Sequence, residues 1–158
     1  MLQGYDVPAS HLEPMQLVKY EVSQQYHYHT DWFTPATAAR HATAAQGGNR
    51  ASSIFGYVWV ANDTTGGGTN FPHLDAPGPG RWCDEGLVDC DEAWERGTTF
   101  RPVEGNAIYW ANLRDDGSGD DRTLHAGLPV TGGGGKVGLN IWTRQGPVGE
   151  DIRGNNKW

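Results

Sequence analysis

His29 and Asp31 stand two residues apart in the stretch Tyr26-His27-Tyr28-His29-Thr30-Asp31. In an extended chain successive side chains point to opposite faces, so this spacing sets an imidazole beside a carboxylate on one face. Such a pair needs a third ligand to hold a metal, and the best candidate is His125 in Leu124-His125-Ala126-Gly127. Two histidines and one carboxylate from distant strands make the donor set of non-haem Fe(II), with three coordination positions left open. A lone His-x-Asp also occurs by chance on surface strands, so the pair takes its meaning from the rest of the chain. His27 shares the face of His29 and Asp31. Tyr26 falls on the opposite alternation and reaches a site beside them only where the strand bends or ends.

The elements that must bring these residues together are short strands. The 158 residues fit one domain, residues 1–158, with a single sizeable core. A formal charge of −7 argues against a nucleic-acid partner and against an anionic membrane, both of which reward clusters of Lys and Arg. No stretch reads as a membrane span. Glycine is abundant, with 23 residues, and no long segment keeps a helical apolar period. Strand patterns fall at residues 15–20, 25–31, 52–61, 98–101, 106–112, 123–130 and 137–144. About seven strands with little helix read as a sandwich or two-sheet jelly roll. The run 52–61 is the most apolar and is expected in the core.

Between the strands, residues 33–49 carry an alanine- and threonine-rich run, from Pro35 to Ala42, without a strong apolar face. A mobile loop is the preferred reading over a short helix. Residues 73–96 form a long polar connection, suited to a substrate-facing loop. It holds both cysteines, Cys83 and Cys90. A disulfide between them implies an oxidising compartment such as the secretory pathway or endoplasmic reticulum, and free thiols a cytoplasmic one. Asn62-Asp63-Thr64 matches a glycosylation acceptor pattern that decides nothing alone. The acidic run 115–121 lacks the alternate-position ligands and terminal glutamate of an EF-hand, so it reads as a solvated turn.

Four segments taken in order carry a resemblance. They are Tyr26-x-x-His29-x-Asp31, Gly67-Gly68-Thr69-x-Phe71-Pro72, Gly105-Asn106-Ala107-x-x-Trp110, and Leu124-His125-Ala126-Gly127-x-Pro129-Val130 followed by Lys136 and Trp142. Together, over residues 15–144, they resemble the prolyl 4-hydroxylases, Fe(II)- and 2-oxoglutarate-dependent oxygenases. The fold this implies is all-β, a double-stranded β-helix of the jelly-roll or cupin type with few short helices.

The resemblance makes His29, Asp31 and His125 the iron ligands. It matches Lys136 to a lysine that binds the distal carboxylate of 2-oxoglutarate, Tyr20 to a tyrosine contacting the same carboxylate, and Thr69 to a threonine lining that pocket. Trp142 matches a tryptophan beside both cosubstrate and substrate, and Tyr26 and Arg50 match positions facing a peptide groove. A buried dianion does need a cation and hydroxyl donors to offset its desolvation. The implied reaction hydroxylates a peptidyl proline or similar C–H group while 2-oxoglutarate is decarboxylated to succinate, with ascorbate as the expected reductant.

Three departures accompany the resemblance. The spacing from His125 to Lys136 is one residue longer than the family's, so the lysine's placement depends on how the turn at Gly132-Gly133-Gly134-Gly135 folds. Val137 stands where relatives often carry tryptophan. The chain also starts near the first barrel strand, where relatives carry supporting elements, leaving a sheet edge that a second copy could cover as a dimer. Two rival readings stay open. One is the same chemistry on a small molecule or free amino acid, favoured if residues 33–49 and 73–96 close over the iron. The other is a jelly-roll module that binds sugar without turnover.

Overall fold

The computed structural model describes residues 7–75, 80–91 and 96–153. Its strands are β1 (Gln16–Tyr20), β2 (Tyr26–His29), β3 (Arg50–Val60), β4 (Thr65–Gly66), β5 (Thr69–Phe71), β6 (Thr98–Phe100), β7 (Ala107–Ala111), β8 (His125–Gly127), β9 (Val130–Gly132) and β10 (Lys136–Arg144). Two four-stranded antiparallel sheets face each other in the orders β1-β10-β3-β7 and β2-β8-β5-β6, and β4 pairs with β9 as a two-stranded ribbon. This is the expected mainly-β, jelly-roll architecture. The expectation of about seven strands missed the shortest ones. The run 123–130 divides into β8 and β9 because Pro129 has no N–H for a ladder, while Leu128 N–H turns to Gly68 O at 2.8 Å.

Long strands build the larger sheet, and their alternation sets its inner face. Ser53, Phe55 and Tyr57 of β3 are all buried, and Trp110 of β7 lies opposite Ser53. Phe55, Tyr57, Phe71 and Trp110 form the core cluster between the sheets. Their rings meet edge to face, at 5.3 Å for Phe55–Tyr57 and 5.3 Å for Phe71–Trp110. Only part of the run 52–61 lies in this core. Val58 is 50% and Trp59 42% exposed, because the strand's far end runs past its β7 pairing, which stops at Gly56.

Residues 33–49 are not a featureless loop. Pro35–His41 form a helix, α1, with proline in its first turn, and Ala44–Gln46 add a 3-10 turn with a capping box from Thr43 and Gln46. An apolar face is not what holds α1. Phe33 stacks on His41 at 5.5 Å, Asn49 brackets the Phe33 backbone with bonds of 2.8 and 2.9 Å, and Arg144 donates to His41 O at 2.7 Å. In the second connection a four-residue helix, α2 (Arg81–Asp84), carries Cys83, which is bonded to Cys90. Val88, inside the loop the bond closes, is 1% exposed and bridges to Phe100 of β6. A short helix, α3 (Glu150–Arg153), follows the last strand. Among the described residues no helix is long and apolar enough to cross a membrane.

The acidic run closes as a solvated hairpin turn, with Leu113 bridged to Gly119 and Asp120 paired with Arg122 at 2.6 Å. Gly138, inside β10, is a closer constraint on the barrel interior. A Cβ there would strike the Phe55 ring, which occupies the space the missing side chain leaves. Gly138→Ala should therefore displace Phe55 and lower stability by about 1–3 kcal/mol, as overpacked cores do, read from urea or thermal unfolding. An unchanged midpoint would show that the ring has room to move.

Candidate active site

β2 carries one more residue than its partner can match. It pairs with β8 through Tyr26↔Gly127 and His29↔His125, with an irregularity between them. The bulge bends the strand and brings Tyr26 round to the side of His29, where the two rings meet edge-on at 4.5 Å. Strict alternation had set them on opposite faces. Across the ladder His125 sits 4.3 Å from His29, ring centre to ring centre.

His29, Asp31 and His125 converge, with one ligand atom from each lying within 4.8 Å of the others. Each histidine has its Nδ1 against the backbone carbonyl two residues earlier, His29 on His27 O and His125 on Thr123 O, both at 2.8 Å. A carbonyl only accepts, so each Nδ1 carries the proton and each Nε2 lone pair is free. The Nε2 atoms face the Asp31 carboxylate, at 3.7 Å from Oδ1 for His29 and 3.9 Å from Oδ2 for His125. These are spacings between ligands around a common centre, with room for an ion. His125 is buried against Phe71 and Trp110, at 5.4 and 4.8 Å. Burial lowers its pKa against the opposing pull of Asp31, with His29 adding to the lowering. The ring therefore stays neutral, the form that binds a metal.

Asp31, 5% exposed, is itself held. Ser53 Oγ donates to Oδ2 at 2.6 Å, and Asn112 Nδ2 donates to Ser53 Oγ at 2.9 Å. Arg50 Nη1 stands 3.7 Å from Oδ1. Ser53 and Asn112 had no role in the sequence reading. The period-2 pattern of residues 50–60 was the signal for Ser53, since it shares the inward face with Phe55 and Tyr57. Two histidine nitrogens and an oriented carboxylate oxygen, open on one side, suit Fe(II).

The second half of the site lies deeper in the barrel. Lys136 opens β10 and is fully buried. The glycine run before it absorbs the extra residue. Gly133 and Gly135 adopt φ of 79° and 95°, and a Cβ on Gly135 would strike Tyr20 O, so the chain turns sharply and delivers the lysine inward. Lys136 Nζ donates to Gly67 O and lies over the rings of Tyr20 at 4.8 Å, Tyr57 at 5.4 Å and Phe55 at 5.6 Å. Desolvation lowers its pKa to about 8, and no carboxylate compensates the ammonium among the described residues. Thr69 Oγ1 hydrogen-bonds Tyr57 OH at 2.7 Å nearby. Burial raises the pKa of Tyr57 and, with Tyr26 adding to it, that of Tyr20, so both phenols remain donors. Tyr57 is a further residue the sequence reading missed. A buried cation without an anionic partner among the described residues, set over phenol rings, is what a carboxylate ligand would need.

A cavity of about 550 Å3 is walled by the three candidate ligands together with Tyr20, Tyr26, Arg50, Thr69 and Trp142, and Lys136 lies behind that wall with its Nζ over the Tyr20 ring. Arg50 stacks on Trp142 at 3.9 Å. Residues 33–49 contribute only Phe33 to the wall, and the described part of 73–96 contributes nothing. Residues 15–144 match the family described as the 2OG-Fe(II) oxygenase superfamily. The chain belongs to that superfamily.

Relatives within and around this superfamily match include a probable prolyl 4-hydroxylase 4 of Arabidopsis thaliana, 32% identical over 127 residues that make up 80% of this chain and 40% of that protein. Prolyl 4-hydroxylase subunit alpha-3 of Rattus norvegicus is 29% identical over 153 residues, 96% of this chain and 23% of that protein. The chain thus spans less than half the length of these relatives. A solved viral collagen prolyl hydroxylase from Paramecium Bursaria Chlorella virus-1, in its 2OG complex, shares the fold. Its TM-score is 0.58 at 24% identity, covering 84% of this chain and 59% of that one.

Two outcomes follow from the geometry. Ser53→Ala removes the donor to Asp31 and strands Asn112 Nδ2, so Mn(II) affinity should fall on the order of tenfold; free Mn(II) measured by electron paramagnetic resonance reads it. For Lys136, the folded pKa of about 8 lies below the ordinary value of 10.5. Its charged form therefore disfavours folding below pH 8, by roughly 3 kcal/mol, and that cost is relieved as pH rises from 8 toward 10.5. Lys136→Met should then leave the ligand-free chain at least as stable as the parent at pH 7. It should also abolish any thermal stabilisation by 2-oxoglutarate, which in the parent fades as pH rises past 8. A Lys136→Met chain that still responds to 2-oxoglutarate would assign the anion to another cation.

Proposed function

We propose that the chain is the catalytic core of a 2-oxoglutarate-dependent dioxygenase that hydroxylates a prolyl residue, or a similar C–H group, in an extended peptide. The observation carrying this reading is the convergence of two proton-fixed imidazoles and a held carboxylate on the wall of an open, aromatic-edged cavity, with a buried lysine behind the Tyr20 ring of the same wall. His29, Asp31 and His125 would hold Fe(II). Lys136, with Tyr20 and Thr69 beside it, would hold the distal carboxylate of 2-oxoglutarate. Bound there, iron and 2-oxoglutarate supply the oxidising chemistry by which O2, 2-oxoglutarate and the C–H substrate become succinate, CO2 and the alcohol.

The chain's own groups set the stage. His27 O and Thr123 O fix both imidazole tautomers, and Ser53 orients the carboxylate. Phe71 and Trp110 pack against His125 and exclude water from its inner side. At the mouth, Tyr26 and Trp142 offer ring faces on which prolines of a polyproline II segment stack. Neither long connection closes over the centre among the described residues, which favours a peptide over a sequestered small molecule. The prolyl 4-hydroxylase names of the relatives agree with such a substrate. The Cys83–Cys90 bond suits an oxidising compartment, as in the secretory pathway.

The test is a mass-spectrometric screen of proline-rich peptides with Fe(II), 2-oxoglutarate, ascorbate and O2. A gain of one oxygen matched by succinate is the expected result, and His29→Ala or Asp31→Ala should abolish both products. Succinate formation that free amino acids stimulate and peptides do not would replace the peptide reading with a small-molecule one. No succinate at all would overturn the oxygenase reading.

A further inference from the structure

Glu13 lies just outside the matched span 15–144, yet it is buried between two guanidinium groups, those of Arg50 and Arg144. The segment ahead of β1 runs beside β10, with Leu12 bridged to Thr143 and Glu13 N–H on Trp142 O at 3.0 Å. That pairing turns the Glu13 side chain inward, where it is 9% exposed. Its carboxylate grips Arg50 at two points, Oε1 on Nε at 2.8 Å and Oε2 on Nη2 at 2.9 Å. The same Oε1 accepts from Arg144 Nε at 2.5 Å. Burial works against the charged form, but the bonds and charges of Arg50 and Arg144 outweigh it and hold the carboxyl below its usual range.

This grip decides where Arg50 stands. With Nε and Nη2 committed to Glu13 and the guanidinium stacked on Trp142 at 3.9 Å, only Nη1 is turned to the centre. It stops 3.7 Å from Asp31 Oδ1, an ion-pair approach longer than a hydrogen bond. Oδ2 already accepts from Ser53, so among the described residues Oδ1 is the oxygen without a hydrogen-bonded donor of its own. We propose that Glu13 keeps Arg50 off Asp31, so that Oδ1 stays available to the metal. The inference rests on reading His29, Asp31 and His125 as a metal site.

Without the Glu13 charge, two things happen in the same direction. Arg50 loses its two-point anchor and needs to move less than an ångström to close a charge-assisted hydrogen bond on Oδ1, competing with the metal. Its uncompensated positive charge also raises the potential where a divalent cation must bind. A simple strut would act differently: its loss would loosen the segment ahead of β1 and lower stability whether or not Arg50 were present. Glu13 is therefore a positioning residue acting through Arg50.

The experiment is Mn(II) titration of the full chain, read from the resonance of the free ion, for the parent, Glu13→Gln, Arg50→Met and the double variant. Unfolding midpoints are measured alongside. Glu13→Gln should weaken Mn(II) binding on the order of tenfold or more. Arg50→Met should bind at least as tightly as the parent, and adding Glu13→Gln to it should change affinity by less than about threefold. Should Glu13→Gln fail to fold, Glu13→Asp serves, since it keeps a charge for Arg144 but is one methylene too short for the two-point grip on Arg50. An unchanged affinity in Glu13→Gln, or the same loss with and without Arg50, overturns the proposal and leaves the metal site standing. A parent chain that binds no Mn(II) overturns the metal-site reading and this inference with it.

Discussion

The Asp31 carboxylate is the constraint from which most of the structure can be traced. It is buried among two imidazoles, a serine hydroxyl and a guanidinium, which come from three strands, β2, β8 and β3. A buried carboxylate is costly unless its lone pairs are satisfied. Ser53 can donate only if β3 keeps its alternation through Arg50–Val60, and the β2 bulge is needed for His29 and Tyr26 to share the cavity. His125 reaches the same point because Phe71 and Trp110 wedge its ring from behind. The aromatic core is thus also the foundation of the site, and core packing and ligand geometry are one problem here.

The buried charges fall into two kinds. Arg50, Arg144, Glu13 and Asp31 form a linked set in which cations and anions balance, and every long side chain has at least one directed bond or close partner. Lys136 is different: among the described residues one backbone carbonyl and three ring faces are all that meets its ammonium. Ring quadrupoles and one carbonyl recover only part of the lost hydration, as the lowered pKa reflects. A chain selected for stability alone would place an apolar residue there. Keeping a lysine makes physical sense when a visiting anion completes the pair, because strain of this sort concentrates at functional sites.

Local patterns were readable from the residues wherever the physics is local. The spacing of His29 and Asp31, the apolar alternation near Phe55 and the turn-forming glycines each depend on nearest neighbours, and the mainly-β architecture followed from them. What escaped depends on partners far along the chain. Glu13 meets Arg50 and Arg144 across separations of 37 and 131 residues, and no sequence period marks such a triad. Helix α1 escaped for a related reason. Its stability comes from Arg144 on the His41 carbonyl and from Phe33 between His41 and two guanidinium groups, not from an apolar stripe of its own. For Tyr26 the residues of β2 could give only the condition, that the strand bend or end beside His29, because a bulge is a mismatch between two strands and is invisible in either alone.

The way the two sheets end explains where the cavity opens. β1 is the outermost strand of one sheet and β2 the outermost strand of the other, so no ladder joins the sheets on that side. Gln16, Val18 and Tyr20 from β1 and Tyr26 and His29 from β2 line the resulting gap. On the opposite side Phe71 and Trp110 fill the space between the sheets. The candidate metal ligands therefore sit at the open seam, and Lys136 sits further in, beneath Tyr20. A ligand anchored on the lysine would extend toward the ligand cluster, and a second molecule approaching the cluster would have to enter along the seam. Because β1 and β2 are both edge strands, the opening is bordered by strand edges and aromatic side chains, so the order of the strands decides where the cavity faces outward.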